Sequence, residues 1–222
     1  MTEPPRAVVS WSSGKDCAWA LHLARQDYRI EGLLCTLNER FDRVAMHGTR
    51  AEILRAQAAA LGLALIEVPL PWPCSNADYE ARMAGVCEDL KARDITHVIF
   101  GDLFLEDVRA YREAQLDGTG LTPVFPLFGR RDTDVLAREM MAGGICARLV
   151  TCDPKVLGAG FAGRVWDEAL LNDLPPGVDP CGENGEFHTM VTNSPDFTAP
   201  LAHRPGETVL RDGFAYADMC LA

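Results

Sequence analysis

Apolar positions change their period along the chain, and the changes mark elements. Residues 7–11, Ala-Val-Val-Ser-Trp, form a short β-type run. A Ser/Gly loop follows, and residues 16–26 then read as a helix. Residues 30–36 predict a second strand. Ile53, Leu54, Ala58 and Leu61 recur at helical spacing in a helix predicted over 49–61. Gly62 ends it, since glycine enters the left-handed C-cap conformation without a Cβ penalty. Residues 63–68 predict a strand, broken by the proline-bearing stretch 69–73. A helix over 76–93, a strand over 96–100 and a helix over 105–115 complete the regular part.

Strands alternating with helices imply βαβ units. The expected fold is α/β: a doubly wound parallel sheet, Rossmann-like, with a smaller C-terminal α+β domain. Such sheets bind ligands beyond the carboxyl ends of their strands, which directs attention to the segments after Trp11, Thr36 and Phe100. Past Pro126 the pattern loosens. Residues 132–142 predict a helix and 145–151 a strand. A loop bearing Gly158, Gly160 and Gly163 comes next, then the break Pro175-Pro176-Gly177 and short β-type runs at 188–192 and 208–210. The expected division is a nucleotide-binding domain over 1–128 and a substrate-binding domain over 129–222.

The chain has 222 residues, 48% hydrophobic and 24% charged, which is ordinary globular composition. Its net charge of −11 and pI near 4.9 make non-specific binding to nucleic acid or anionic lipid unfavourable. No run approaches the ~20 apolar residues of a membrane span, and the start has no signal-type apolar region. The expectation is a soluble, cytoplasmic protein without membrane or direct nucleic-acid partners, a homodimer being left open. None of the eight cysteines forms a C-x-x-C pair, so reduced, buried thiols are expected.

The first loop carries the main chemical signal. Ser12-Ser13-Gly14-Lys15 stands between a strand and a helix. Small residues let backbone N–H groups approach an anion, the helix N-terminus adds partial positive charge, and Lys15 adds a full one. The loop is not a Walker A sequence. The same residues also suit a plain helix start, with Ser as N-cap and Lys15 solvated.

With its flanks, this loop resembles the S-G-G-K-D-S signature of the N-type ATP pyrophosphatases, with Ser13 in place of Gly and Cys17 in place of Ser. Further motifs follow: Gly101, Arg109 and Glu113 after the fourth strand; Pro126-Leu127-Phe128-Gly129-Arg130; Gly163-Arg164; and Cys181-Gly182-Glu183-Asn184-Gly185-Glu186-Phe187-His188-Thr189. Their order resembles the diphthine–ammonia ligase family over residues 6–197. The segment Gly101-Asp102-Leu103-Phe104 departs from the ligases' Gly-Ala-Ile pattern, closer to a related branch.

The resemblance implies an ATP-dependent amide ligase that uses ATP and Mg²⁺. A substrate carboxylate is adenylated with loss of pyrophosphate, and ammonia then displaces AMP. Diphthine on elongation factor two is the family's acceptor, and a small carboxylate metabolite is compatible. On this view Ser10, Trp11, Ser12, Ser13, Gly14, Lys15 and Cys17 hold the nucleotide, with Lys15 neutralising the β- and γ-phosphates. Asp16 binds Mg²⁺ or serves only as a first-turn acid. Cys35 and Thr36 meet adenine through their backbone at the end of the second strand. His47 contacts ATP or is a surface-loop histidine. Gly101 permits close approach to the nucleotide, and Asp102 binds Mg²⁺ or substrate, or caps a helix. Glu183 and Glu186 hold a cation or ammonia, with His188 and Thr189 beside them, and Glu186 or His188 is the candidate to deprotonate ammonium; the alternative is a hairpin with both glutamates in solvent. Arg109, Glu113, Arg130 and Arg164 are candidates for substrate binding, whereas Arg112 is expected on a solvated helix face. Two other readings remain: a nucleotide-sensing module without turnover, and a pyrophosphatase acting on a tRNA base.

Overall fold

The structure is a computed structural model that describes residues 3–130 and 132–222. Strand β1 (Arg6–Ser10) is followed by α1 (Lys15–Ala24), β2 (Arg29–Asn38), β3 (Arg43–Val44), α2 (Ala51–Leu61), β4 (Ala64–Leu70), α3 (Asn76–Ala92), β5 (His97–Ile99), α4 (Glu106–Leu116) and β6 (Thr122–Val124). These build one sheet. Its parallel strands lie in the order β4-β2-β1-β5-β6, and β3 pairs antiparallel with the far end of β2. The direction of winding reverses at β1, so the crevice between the carboxyl ends of β1 and β5 is where such a sheet receives a ligand.

Helices cover both faces. Alternation along β1 sends Ala7 and Val9 to a core shared with α1 and α2, while Val8 faces a second core with Cys87 and Leu90 of α3 and Leu116 of α4. Local chemistry sets the helix ends. Gly62 caps α2 at φ 64°, and Ser75 and Asp78 close a reciprocal capping box on α3.

Beyond α5 (Thr133–Ala142) a second, five-stranded sheet is antiparallel throughout. It contains β7 (Cys146–Cys152), β8 (Val165–Trp166), β9 (Phe187–Asn193), β10 (His203–Arg211) and β11 (Phe214–Leu221), with the short helix α6 (Glu168–Asp173) after β8. β7 is central, with β9 on one side and β8 and β11 on the other. The first hydrophobic core runs through both sheets, joining Trp19, Leu21 and Leu54 to Leu149, Trp166 and Phe187. No helix is long and apolar enough to cross a membrane among the described residues.

The sequence pattern misplaces or omits several elements. β2 runs on to Asn38, because its ladder with β4 continues to the Asn38–Leu70 pair. β4 does not stop at Pro69: it is an edge strand, so the missing N–H takes no ladder bond away. β6 is three residues around Pro123 on the opposite edge, too short to show a period. β8, α6 and β11 were likewise not anticipated.

Candidate active site

The loop after β1 is shaped by strain and bracing. Ser13 sits at φ 72°, in the left-handed region that glycine tolerates best. It is held there from three sides. Its hydroxyl donates to Thr49 Oγ1 at 2.8 Å, its carbonyl accepts from Val191 N–H at 2.8 Å, and Gln57 Nε2 donates to the same carbonyl at 3.1 Å. Gln57 is fully buried on α2. It also accepts from Trp11 Nε1 at 2.9 Å and donates to the Val191 carbonyl at 2.8 Å. This glutamine escaped the sequence reading, although a lone amide between Leu54, Ala58 and Leu61 on an apolar helix face was a signal.

The N-cap of α1 is Gly14, which has no side chain to offer, so the serine-capped helix start is not what forms. The Lys15 N–H is instead accepted by Thr189 Oγ1 at 3.1 Å. A Cβ on Gly14 would come within 3.2 Å of the Thr189 carbonyl and 3.4 Å of His47 Cε1. The C-terminal motif therefore docks directly on the loop.

Lys15 is neither solvated nor free to follow a phosphate; its side chain is 2% exposed. Nζ donates to the two Asp16 carboxylate oxygens at 3.0 and 2.9 Å and to the Cys181 carbonyl, and it lies 5.3 and 5.6 Å from the ring centroids of Trp166 and Phe187. Burial works to lower its pKa, but Asp16, together with Cys181 and Glu183, outweighs burial and holds it above the ordinary lysine value. Burial raises the Asp16 carboxyl, with Lys15 opposing.

A cavity of about 810 Å³ opens at the carboxyl ends of β1 and β2, beneath α3 and α4. Ser10, Ser12, Thr36, His47 and His188 line it, and Trp11 contributes to its wall while its indole is tied to Gln57. The depth is apolar, with Leu34, Val98 and Phe100. Tyr79, overlooked in sequence, and Arg112 come to it from α3 and α4. Arg112 corrects the expectation of a solvated face. Its Nε is buried without a hydrogen bond, its guanidinium lies 5.2 Å from the Phe100 ring, and it faces Asp102 Oδ2 at 3.7 Å. Burial pushes the Asp102 carboxyl up, with Arg112 opposing.

The remaining candidates fall into three places. Glu183 adjoins the lysine. Its Oε1 accepts from Leu103 N–H at 2.7 Å, and burial pushes its carboxyl up to about 7. Glu186 is buried and braces its own turn, accepting from Asp179 N–H at 3.0 Å and Asn184 Nδ2 at 3.1 Å. Neither glutamate is on a solvent-facing hairpin. Cys17 and Cys35 face the core. The Cys17 thiol donates to the Gly14 carbonyl at 3.0 Å and burial pushes it up to about 11. The Cys35 side chain points away from the cavity, opposite Leu34 and Thr36, and its backbone lies within the ladder to β4 rather than at a strand end. Gly101 makes its close approach to α1: a Cβ there would lie 2.8 Å from Cys17 N and 2.9 Å from Asp16 C. Arg109 pairs with Glu113 along α4 and covers Phe125 and Phe128. Arg130 is exposed, and Arg164 pairs with Asp173 at 2.7 Å. None of these four lines the cavity.

The site fits a nucleotide better than a resident metal. The cavity is within the volume range of small-molecule sites, and Ser12 of the loop that leads into α1 lines it. Among the described residues no group of three or more His, Cys, Asp or Glu is arranged to hold a metal ion. Asp16 alone suits Mg²⁺, which is commonly held by one or two carboxylates with phosphate oxygens.

The family described as the diphthamide synthase N-terminal domain matches residues 5–122. Among solved structures, the chain is similar to a predicted subunit of tRNA methyltransferase from Methanocaldococcus jannaschii. Identity is 14%, the match covers 65% of this chain and 80% of that one, and the TM-score is 0.41. No curated protein matches the chain in sequence.

Proposed function

Since this chain belongs to the diphthamide synthase N-terminal domain family, we propose that it is an ATP pyrophosphatase-type ligase that amidates a substrate carboxylate with ammonia. ATP, when bound with Mg²⁺, supplies the adenylyl group that activates the carboxylate, with pyrophosphate leaving. The observation that carries the reading is the junction of the β1–α1 loop with the Cys181–Thr189 turn at the mouth of an 810 Å³ cavity.

In this reading the loop and the α1 dipole hold phosphates. Asp16, paired with Lys15, is the residue that would hold Mg²⁺. Lys15 fixes the Cys181 turn rather than reaching for the β- and γ-phosphates. Glu183, whose carboxyl titrates near 7, accepts a proton from ammonium as a general base. The antiparallel sheet presents the acceptor, either diphthine on elongation factor two or a small carboxylate.

The test is pyrophosphate release from ATP with Mg²⁺ and ammonium, with and without diphthine-bearing elongation factor two. Acceptor-dependent AMP and pyrophosphate support the ligase. ADP as the main product overturns it, and nucleotide binding without turnover under every acceptor tried favours a sensing module.

A further inference from the structure

Two imidazoles meet where the loop opens into the cavity. The rings of His47, from the β3–α2 loop, and His188, on β9, have centroids 4.4 Å apart and planes inclined by 31°. Both line the cavity. His47 Cε1 is the side-chain atom nearest the space beside Gly14 outside Thr189, and His47 Nδ1 is buried without a hydrogen-bond partner. The scaffold holds this pair firmly. The His47 carbonyl accepts from Thr151 Oγ1 at 2.9 Å, and Arg43 and Arg50 clamp the same loop to Asp218 of β11.

Two tilted imidazoles in close contact at the cavity wall beside Gly14, one with an unused nitrogen, are an odd arrangement for mere packing. Resting on the nucleotide reading above, we infer that His47 and His188 act as one anion-binding unit that takes up a proton when a nucleotide phosphate enters the cavity mouth. The groups acting on the pair are few. The positive charge of Lys15 on α1 disfavours protonation of both rings, His188 disfavours charge on His47, and the Thr189 backbone on β9 favours charge on His47. Burial is the largest influence, and it holds His47 well below the ordinary histidine value and His188 at about 4. Both rings are thus neutral at pH 7 in the free protein. A phosphate against them supplies the missing negative charge and reverses the balance for one ring. The like charge of the second proton limits the uptake to one.

The sign of the linkage follows. Between about pH 6, above which the free nucleotide phosphate is itself ionised, and the raised pKa of the occupied site, the complex holds one more proton than the free protein and free nucleotide together. Affinity then falls about tenfold per pH unit across that window and levels off above it.

Calorimetric titration of AMP without Mg²⁺ at pH 7.5, in buffers of different ionisation enthalpy, counts the protons; at this pH the nucleotide phosphate is almost fully ionised. Uptake close to one proton is expected with AMP and none with adenosine, and the uptake is lost in His47→Asn or His188→Asn. Nitrogen-15 spectra of the wild-type imidazoles give a readout independent of any variant: one ring moves from the neutral to the imidazolium signature when AMP is added. AMP binding without proton uptake overturns the inference and leaves the nucleotide reading intact. Uptake that survives in both variants assigns the proton elsewhere and also overturns it. Failure of both AMP and ATP to bind overturns the nucleotide reading and this inference together.

Discussion

Lys15→Met separates a lysine that serves phosphate from one that serves the fold. A lysine pointing into an open cavity can be replaced at a cost within about 0.5 kcal/mol. Here the ammonium is 2% exposed and donates to Asp16 and to the Cys181 carbonyl. Removing one partner of a buried ion pair costs about 3–5 kcal/mol. The Asp16 side chain is 26% exposed, so water recovers part of this. The methionine stem still fills the sleeve between Trp166 and Phe187. The expected loss is about 2–4 kcal/mol, or roughly 5–15 °C in Tm for a chain of this size.

Urea unfolding of the wild type, Lys15→Met, Asp16→Asn and the double variant measures it. The double variant should recover more than half of the Lys15→Met loss, because it leaves no unpaired buried charge. The pH dependence has a definite sign. In Lys15→Met the Asp16 carboxyl, already raised by burial, loses the group that opposes that rise. Its destabilisation is therefore full at pH 8 and shrinks as pH falls through the raised value, where the carboxyl is neutral. A Lys15→Met protein as stable as wild type at pH 8, or a double variant no better than the single, would refute the clamp.

Glu183→Gln should stabilise the protein at pH 8 by about 1–2 kcal/mol and have little effect at pH 5. Ionised Glu183 is penalised from its ordinary 4.5 up to about 7, and the amide oxygen can still accept the Leu103 N–H. Equal or lower stability at pH 8, measured by urea midpoint, counts against it. Gly101→Ala forces a Cβ to within 2.8 Å of Cys17 N, so a loss of about 2–3 kcal/mol is expected in the same assay, and a neutral result would mean that the α1 start yields easily. Gln57→Leu leaves Trp11 Nε1 and the Val191 carbonyl buried without partners, and should cost about 2–4 kcal/mol by thermal unfolding.

Legibility in the sequence followed periodicity and spacing. α2 was readable because its apolar positions and its Gly62 stop agree. β6 and β8 were not, since two or three residues show no period. The loop at Ser12–Lys15 was visible as a motif, but the direction of its side chains was not. Sequence spacing cannot show that Lys15 turns toward Cys181, 166 residues away. Nor can it show that Arg112 faces a cavity while Arg109, one turn earlier, lies on the aromatic rim. The departure of Ser13 from glycine was legible, and its left-handed backbone explains why glycine suits the position.

The matched family region, residues 5–122, holds the strand, the loop and the helix start, yet it does not by itself complete the site. The Ser13 carbonyl is met by Val191, the Lys15 N–H by Thr189, the Lys15 ammonium by Cys181, and the Leu103 N–H by Glu183. Each bond crosses from the antiparallel sheet or its entry turn to the parallel sheet. Without them a buried ammonium would keep only Asp16, and a strained serine would lose one of its three braces. The C-terminal motif is therefore bound to the loop energetically as well as spatially. Glu183 reaches the Leu103 N–H and His188 reaches the cavity because Cys181 and Thr189, on either side of them, are fastened to the two ends of Lys15.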